Sequence, residues 1–201
     1  MFRQMRVSRP VGLTALVALS VAVLVLSASV ARATVVEAVT FQELVKSADR
    51  IFVGEVISVE SFRADVDAGR RIRTRVTFSV NETLRGRGLA VVLEFLGGTV
   101  DDLTQEVLGM PRFLKGERYV VFARDGDRWV NPVVGYTQGL LSVSRDLRDG
   151  SFRVLTANGA PLSAVTAIGQ PQNRVAATMS IPMPLSALVA EIHAEMTRQA
   201  R

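Results

Sequence analysis

From Ile72 to Asn81 the side chains alternate without a slip. Ile72, Thr74, Val76, Phe78 and Val80 fall on one side, and Arg71, Arg73, Arg75, Thr77, Ser79 and Asn81 on the other. A two-residue period belongs to a strand with one face on a core and one in solvent, so this chain is built around a sheet. Other stretches carry the same signal. Residues 89–96 put Leu89, Val91, Leu93 and Phe95 on one face. Residues 117–124 and 128–134 flank Asp125-Gly126-Asp127, whose composition suits a tight hairpin. Tyr119, Val121 and Ala123 alternate with Val120 and Phe122, which predicts a strand covered on both faces. A further hairpin is expected from 140–144 and 151–156.

The segment 51–60 has strand composition but loses phase: Phe52 and Val56 point one way, Ile57 and Val59 the other. Gly54 sits where the phase changes, and a glycine inside a strand commonly marks a bulge or bend. Small barrels need such a bend to close, so the expected architecture is mainly β, a small closed β-barrel. Residues 61–69 read as a polar loop, and 99–112 as a long connection of the kind that carries function or covers a barrel mouth.

Two helices accompany the strands. Thr40 and Glu43 form a T-x-x-E capping box, and Phe41, Leu44, Val45 and Ala48 share one face, which predicts a two-turn N-terminal helix. Leu185, Leu188, Val189, Ile192 and Met196 recur at helical spacing after Pro184, giving a C-terminal amphipathic helix over 185–201. The stretch 158–184, rich in Ala, Gly, Pro, Gln and Ser, reads as an exposed connector to the domain at 34–157.

The first 33 residues read as a secretory signal peptide. Arg3, Arg6 and Arg9 precede an apolar run over 11–26, and Ala31-Arg32-Ala33 supplies the small-residue cleavage pattern. The competing reading is an uncleaved membrane anchor, which also leaves the domain outside the cytoplasm. Removal of the four arginines in this segment leaves twenty basic against nineteen acidic residues. A net charge that small does not favour nucleic acid or an anionic membrane as partner. The chain has no cysteine, so disulfides and thiolate chemistry are excluded in a compartment where cross-links would persist. The exported protein is expected in the periplasm or outside the cell, held together by its core alone.

Phe41, Leu44, Ala48-Asp49, Ile51-Phe52-Val53-Gly54-Glu55-Val56, Thr77-Phe78-Ser79-Val80, Leu84-Arg85-Gly86 and Gly116-Glu117-Arg118-Tyr119-Val120-Val121-Phe122 occur in that order. With them the chain resembles netrin-like modules, the group that includes the N-terminal domains of tissue inhibitors of metalloproteinases, over residues 41–143. The resemblance implies a five-stranded OB-type barrel whose mouth and loops bind partners. It also raises inhibition of, or assistance to, an exported metalloprotease. Those inhibitors place an N-terminal cysteine on the target's zinc, and a chain without cysteine cannot do so.

Candidate binding residues are the stripe Arg71, Arg73 and Arg75, with Arg70, Arg85 and Arg87 near it, and the acidic residues Asp101, Asp102 and Glu106 of the long connection. Each has a plainer reading, as the solvated side of a strand or as turn residues. Tyr119, Trp129 and Tyr136 provide few rings for stacking on bases. His193 is the single histidine, on the C-terminal helix, and too few ligand types are present for a zinc site. No G-x-S-x-G motif or phosphate loop occurs. The sequence therefore points to a non-enzymatic module that needs no cofactor, binds an extracytoplasmic protein, and touches the membrane only if its signal segment is retained.

Overall fold

The computed structural model of the chain describes residues 37–66, 69–126, 130–170 and 180–201, the side chains at 65–66 and 69–70 excepted. The signal segment, its cleavage site, Trp129 and the Asp127 end of the expected hairpin lie outside these residues.

The protein is mainly β. Helix α1 (Phe41–Ser47) leads into a hairpin of two 17-residue strands, β1 (Arg50–Val66) and β2 (Gly69–Arg85). There follow β3 (Ala90–Leu96), the short pair β4 (Gly98–Val100) and β5 (Leu103–Gln105), then β6 (Arg118–Ala123), β7 (Leu140–Arg145) and β8 (Phe152–Thr156). A 3-10 turn (Val165–Ala167) and helix α2 (Leu185–Gln199) complete the chain. Six strands form one antiparallel sheet in the order β3-β2-β1-β6-β7-β8. β4 and β5 form a separate two-stranded sheet.

No sheet closes into a barrel: the six-stranded sheet has β3 and β8 as its edges. The C-terminal end of β3 nevertheless meets the chain beyond β6, where the Leu96 amide donates to the Val130 carbonyl at 3.1 Å. Of the strand expected over 128–134, the described residues 130–134 make one bridge, Ala123 with Val133. Pro132 has no N–H to offer a ladder, and β7 takes positions 118–121 on that side of β6, which leaves only Phe122 to Arg124 for residues 132–134.

Burial on both sides of the sheet explains why β6 is apolar from Tyr119 to Ala123. On one face, here the helix face, Ile51, Val53, Val120, Phe122, Leu141 and Val154 pack under α1 and α2. The helices contribute Phe41, Leu44 and Val45 from α1 and Leu188 and Ile192 from α2, all buried. α2 is thus docked as part of the core. On the other, aromatic face, Phe52, Val56, Val76, Phe78, Val91, Leu93, Phe95, Tyr119 and Val121 pack together. Rings meet edge-on there: Phe52 with Phe78 at 5.5 Å and Phe78 with Phe113 at 5.7 Å.

Four further details differ from the sequence reading. The strand expected to end at 60 continues to Val66, because Ser61, Phe62, Arg63 and Ala64 pair in register with Thr74, Arg73, Ile72 and Arg71. The β1–β2 register shifts between Val53 and Gly54, as the glycine suggested, but the extra residue there is Asn81 on β2. The slip of phase within β1 comes from Ile57, which has no partner, so Val59 returns to the same side as Val56, opposite Val76. Finally, Leu162 and Ile168 of the supposed exposed connector are buried under the helix face.

Candidate functional site

The arginine stripe lies on β2 with the same parity as Ser79, the register partner of Glu55, and so continues the helix face beyond the residues packed beneath α1 and α2. Register puts three strands side by side: Glu60 of β1, Arg75 of β2 and Glu94 of β3, and in the next row Phe62, Arg73 and Leu96. Cross-strand neighbours on one face interact directly. Arg75 donates from Nε and Nη2 to Glu94 Oε1, at 3.0 and 2.8 Å. Its guanidinium also lies over the Phe62 ring, 4.7 Å from the centroid. Arg73 approaches the other carboxylate oxygen of Glu94 from Nε, at 3.6 Å. The structure thus brings Arg73 and Arg75 together on one carboxylate and leaves Arg71 exposed at the outer end of the row.

Of the three further arginines of the expected patch, the Arg70 side chain lies outside the described residues, and the other two behave differently. Arg85 turns inward, and its Nη1 donates to the carbonyls of Val45 and Ala48, the latter at 2.9 Å. Helix ends leave carbonyls without partners, and this guanidinium satisfies them at the C-terminus of α1. Arg85 is therefore a cap and no part of the stripe. Arg87 is exposed, and its carbonyl accepts from Arg50 Nη1 at 3.0 Å.

The acidic residues of the long connection are not gathered into a site. Asp101 and Asp102 form the turn between β4 and β5, with Asp101 at φ 53, a conformation that Asp tolerates better than most residues. Asp101 accepts from Arg63 Nη2 at 3.0 Å. Arg63 pairs in register with Ile72, so this contact lies on the aromatic side of the hairpin, the opposite face from Arg71, Arg73 and Arg75. Glu106 pairs with Arg112 at 3.2 Å, both largely exposed. Among the described residues no group of three or more His, Cys, Asp or Glu side chains could hold a metal ion. His193 is exposed on α2.

The long connection instead covers the end of the aromatic core. Gly98 brings β4 against the hairpin: a Cβ there would lie 2.3 Å from Thr74 Oγ1 and 2.4 Å from Ser61 Oγ, at φ +133. Gln105 Oε1 accepts from the Ile72 amide at 2.9 Å. Phe113, in the loop before β6, is buried and touches Phe78, Phe95 and Tyr119. Tyr119 is likewise core: its hydroxyl donates to Glu117, and burial raises its pKa well above the ordinary phenol range. A lone aromatic in a loop has no periodicity to announce it, which is why Phe113 was not legible.

Two residues that sequence reasoning passed over shape the exposed face. Phe62 and Glu94 hold Arg75 in place, and their pairing follows only from the register of three strands. Among the described residues no helix is long and apolar enough to cross a membrane. No protein-family model, no curated protein and no solved structure matches the chain.

Proposed function

We propose that the protein is an exported, non-enzymatic module that binds another extracytoplasmic protein through the outer half of its β1–β2 hairpin. The observation that carries this reading is the Arg75–Phe62 stack braced by Glu94 on the outer part of the helix face, beyond the residues packed beneath α1 and α2. Interfaces are enriched in arginine and aromatic side chains, and an arginine held in one rotamer loses less entropy on binding than a free one. The netrin-like, OB-type reading of the fold draws support from the hydrogen bond of Leu96 to Val130, which links the edge strand β3 to the chain following β6. Export rests on the charged and apolar pattern of the first 33 residues.

The test is site-directed photocross-linking from position 62 in the native envelope, with Arg71→Glu, Arg75→Glu as the competing variant. One adduct that recurs with the native protein and disappears with the variant is the expected result. Absence of any adduct, or adducts indifferent to the charge reversal, contradicts it. Assay of metalloproteases from the same organism with the purified domain separates the inhibitor reading: loss of protease activity on addition supports it, and unchanged activity removes it.

A further inference from the structure

The two edges of the large sheet are treated differently. β8 is covered: Val154 donates to the Met183 carbonyl at 3.0 Å, the Leu162 amide donates to Val154, and bridges join Arg153 to Pro184 and Leu155 to Pro161. Among the described residues β3 is fastened on its outer side at its end, by Leu96 to Val130.

Register states which backbone groups of β3 are left. Val80 donates to Leu89 and Gly97 donates to Ile72, so the hydrogen-bonded pairs with β2 are those of Leu89, Val91, Leu93, Phe95 and Gly97. Antiparallel ladders alternate. The N–H and C=O groups of Ala90, Val92 and Glu94 therefore point away from β2, and among the described residues none of them has a partner on that side. Uncovered edges are ordinarily blunted by lysine, proline or a bulge. Here the segment reads Ala90-Val91-Val92-Leu93-Glu94, with Val92 51% exposed.

The edge opens on a cleft of about 320 Å³. Ala90 to Glu94 form one wall, and Arg50, Arg124, Asp125, Gly126 and Pro132 the other, with Arg73 reaching in. In this lining Arg50 is paired with Asp125, and Arg73 shares Glu94 with Arg75, so one carboxylate answers two guanidinium groups there.

We propose that β3 binds an extended polypeptide segment by strand addition, the segment pairing with Ala90, Val92 and Glu94 and carrying an acidic side chain toward the arginines of the cleft. Main-chain bonds supply the affinity in such complexes, and side-chain pockets the selectivity. The surface shares Arg73 and Glu94 with the arginine face, but the backbone groups of β3 belong to it alone, and the two are tested by different variants.

The probe is the acetylated, amidated peptide TVEVT, with TVQVT and TPEPT as comparisons, and the readout is amide hydrogen exchange together with fluorescence anisotropy. TVEVT should slow exchange at Ala90, Val92 and Glu94. TVQVT should bind severalfold less tightly, and TPEPT, which cannot form the ladder, should not bind. Val92→Pro removes a donor that β2 does not use, so the fold survives while affinity falls about tenfold or more. Ala90→Pro, at the first residue of the strand, serves the same purpose if the first variant does not fold. No change in exchange with TVEVT at millimolar concentration overturns the proposal. So does binding unaltered by both proline variants, or a dimer in sedimentation that Val92→Pro dissolves, which would assign the edge to a second copy of the chain.

Discussion

The two halves of the β1–β2 hairpin share one ladder and differ in nearly everything else. In the inner half, β1 lies between β2 and β6, and both of its faces are covered: Ile51 and Val53 by the helices, Phe52 and Val56 by the aromatic cluster. In the outer half, β1 has β2 as its single neighbour, one face meets β4 and Asp101, and the other carries Phe62, Arg73 and Arg75. A strand does not need a core on both sides to persist. Backbone pairing extends the ribbon past the part that the helices cover, and there one face is left to Phe62 and the arginines.

Substitutions should separate the halves by the size of their effect. Phe78 is fully buried and touches Phe52 and Phe113. Phe78→Ala should lower unfolding free energy by about 3–5 kcal/mol, read from the urea midpoint. Gly98→Ala strains a left-handed backbone and drives a methyl into Ser61 and Thr74. The expected loss is about 1–3 kcal/mol, with faster exchange confined to the outer half and to β4–β5. A uniform effect on both halves would break the distinction.

Arg75→Ala removes an ion pair and a ring contact that are both half in solvent. Stability should change by less than about 1 kcal/mol, because exposed pairs are screened. The photocross-link from position 62 should be lost all the same. A large loss of stability would make the stripe a structural brace and remove the reason to call it a surface for recognition.

The smallest effect is at the start of α1. The Glu43 carboxyl accepts from the Thr40 amide and hydroxyl, and these bonds, the amide first, hold its pKa below the ordinary value of 4.5. A depressed pKa contributes stability that is present above 4.5 and is lost as pH falls through the folded value. The stability difference between the native protein and Glu43→Gln should therefore shrink below pH 4.5 and stay level above it. A difference that grows on acidification would contradict the capping assignment.

What could be read from the sequence follows the same division. Strict alternation in β2 identified which side of that strand is buried, because an apolar core enforces the period. The T-x-x-E box located α1, and the apolar spacing of Leu188 and Ile192 located the docked face of α2. The outer half of β1 was not legible, since Ser61 to Ala64 pair through the backbone and bury too little to leave an apolar pattern. Arg85 reaches back 37 residues to Ala48 and Phe113 reaches back 35 to Phe78, and neither carries a local signal of these partners. The arginine stripe was visible as charge, but its bracing by Phe62 and Glu94 depends on strand register. The Asp101-Asp102 pair looked like a site and is the turn of a hairpin.

Native-state hydrogen exchange across β1 tests the contrast most directly, since it reports the opening free energy of each amide in turn. Paired amides of 51–55, held between two strands and two cores, should exchange only through global unfolding, with denaturant dependence matching the whole domain. Those of 58–64 should open at distinctly lower free energy and with a smaller denaturant slope, while β6 stays protected. Equal opening energies and slopes along all of β1 would mean that the hairpin is one rigid unit, and the division between a structural half and a recognising half would have to be abandoned.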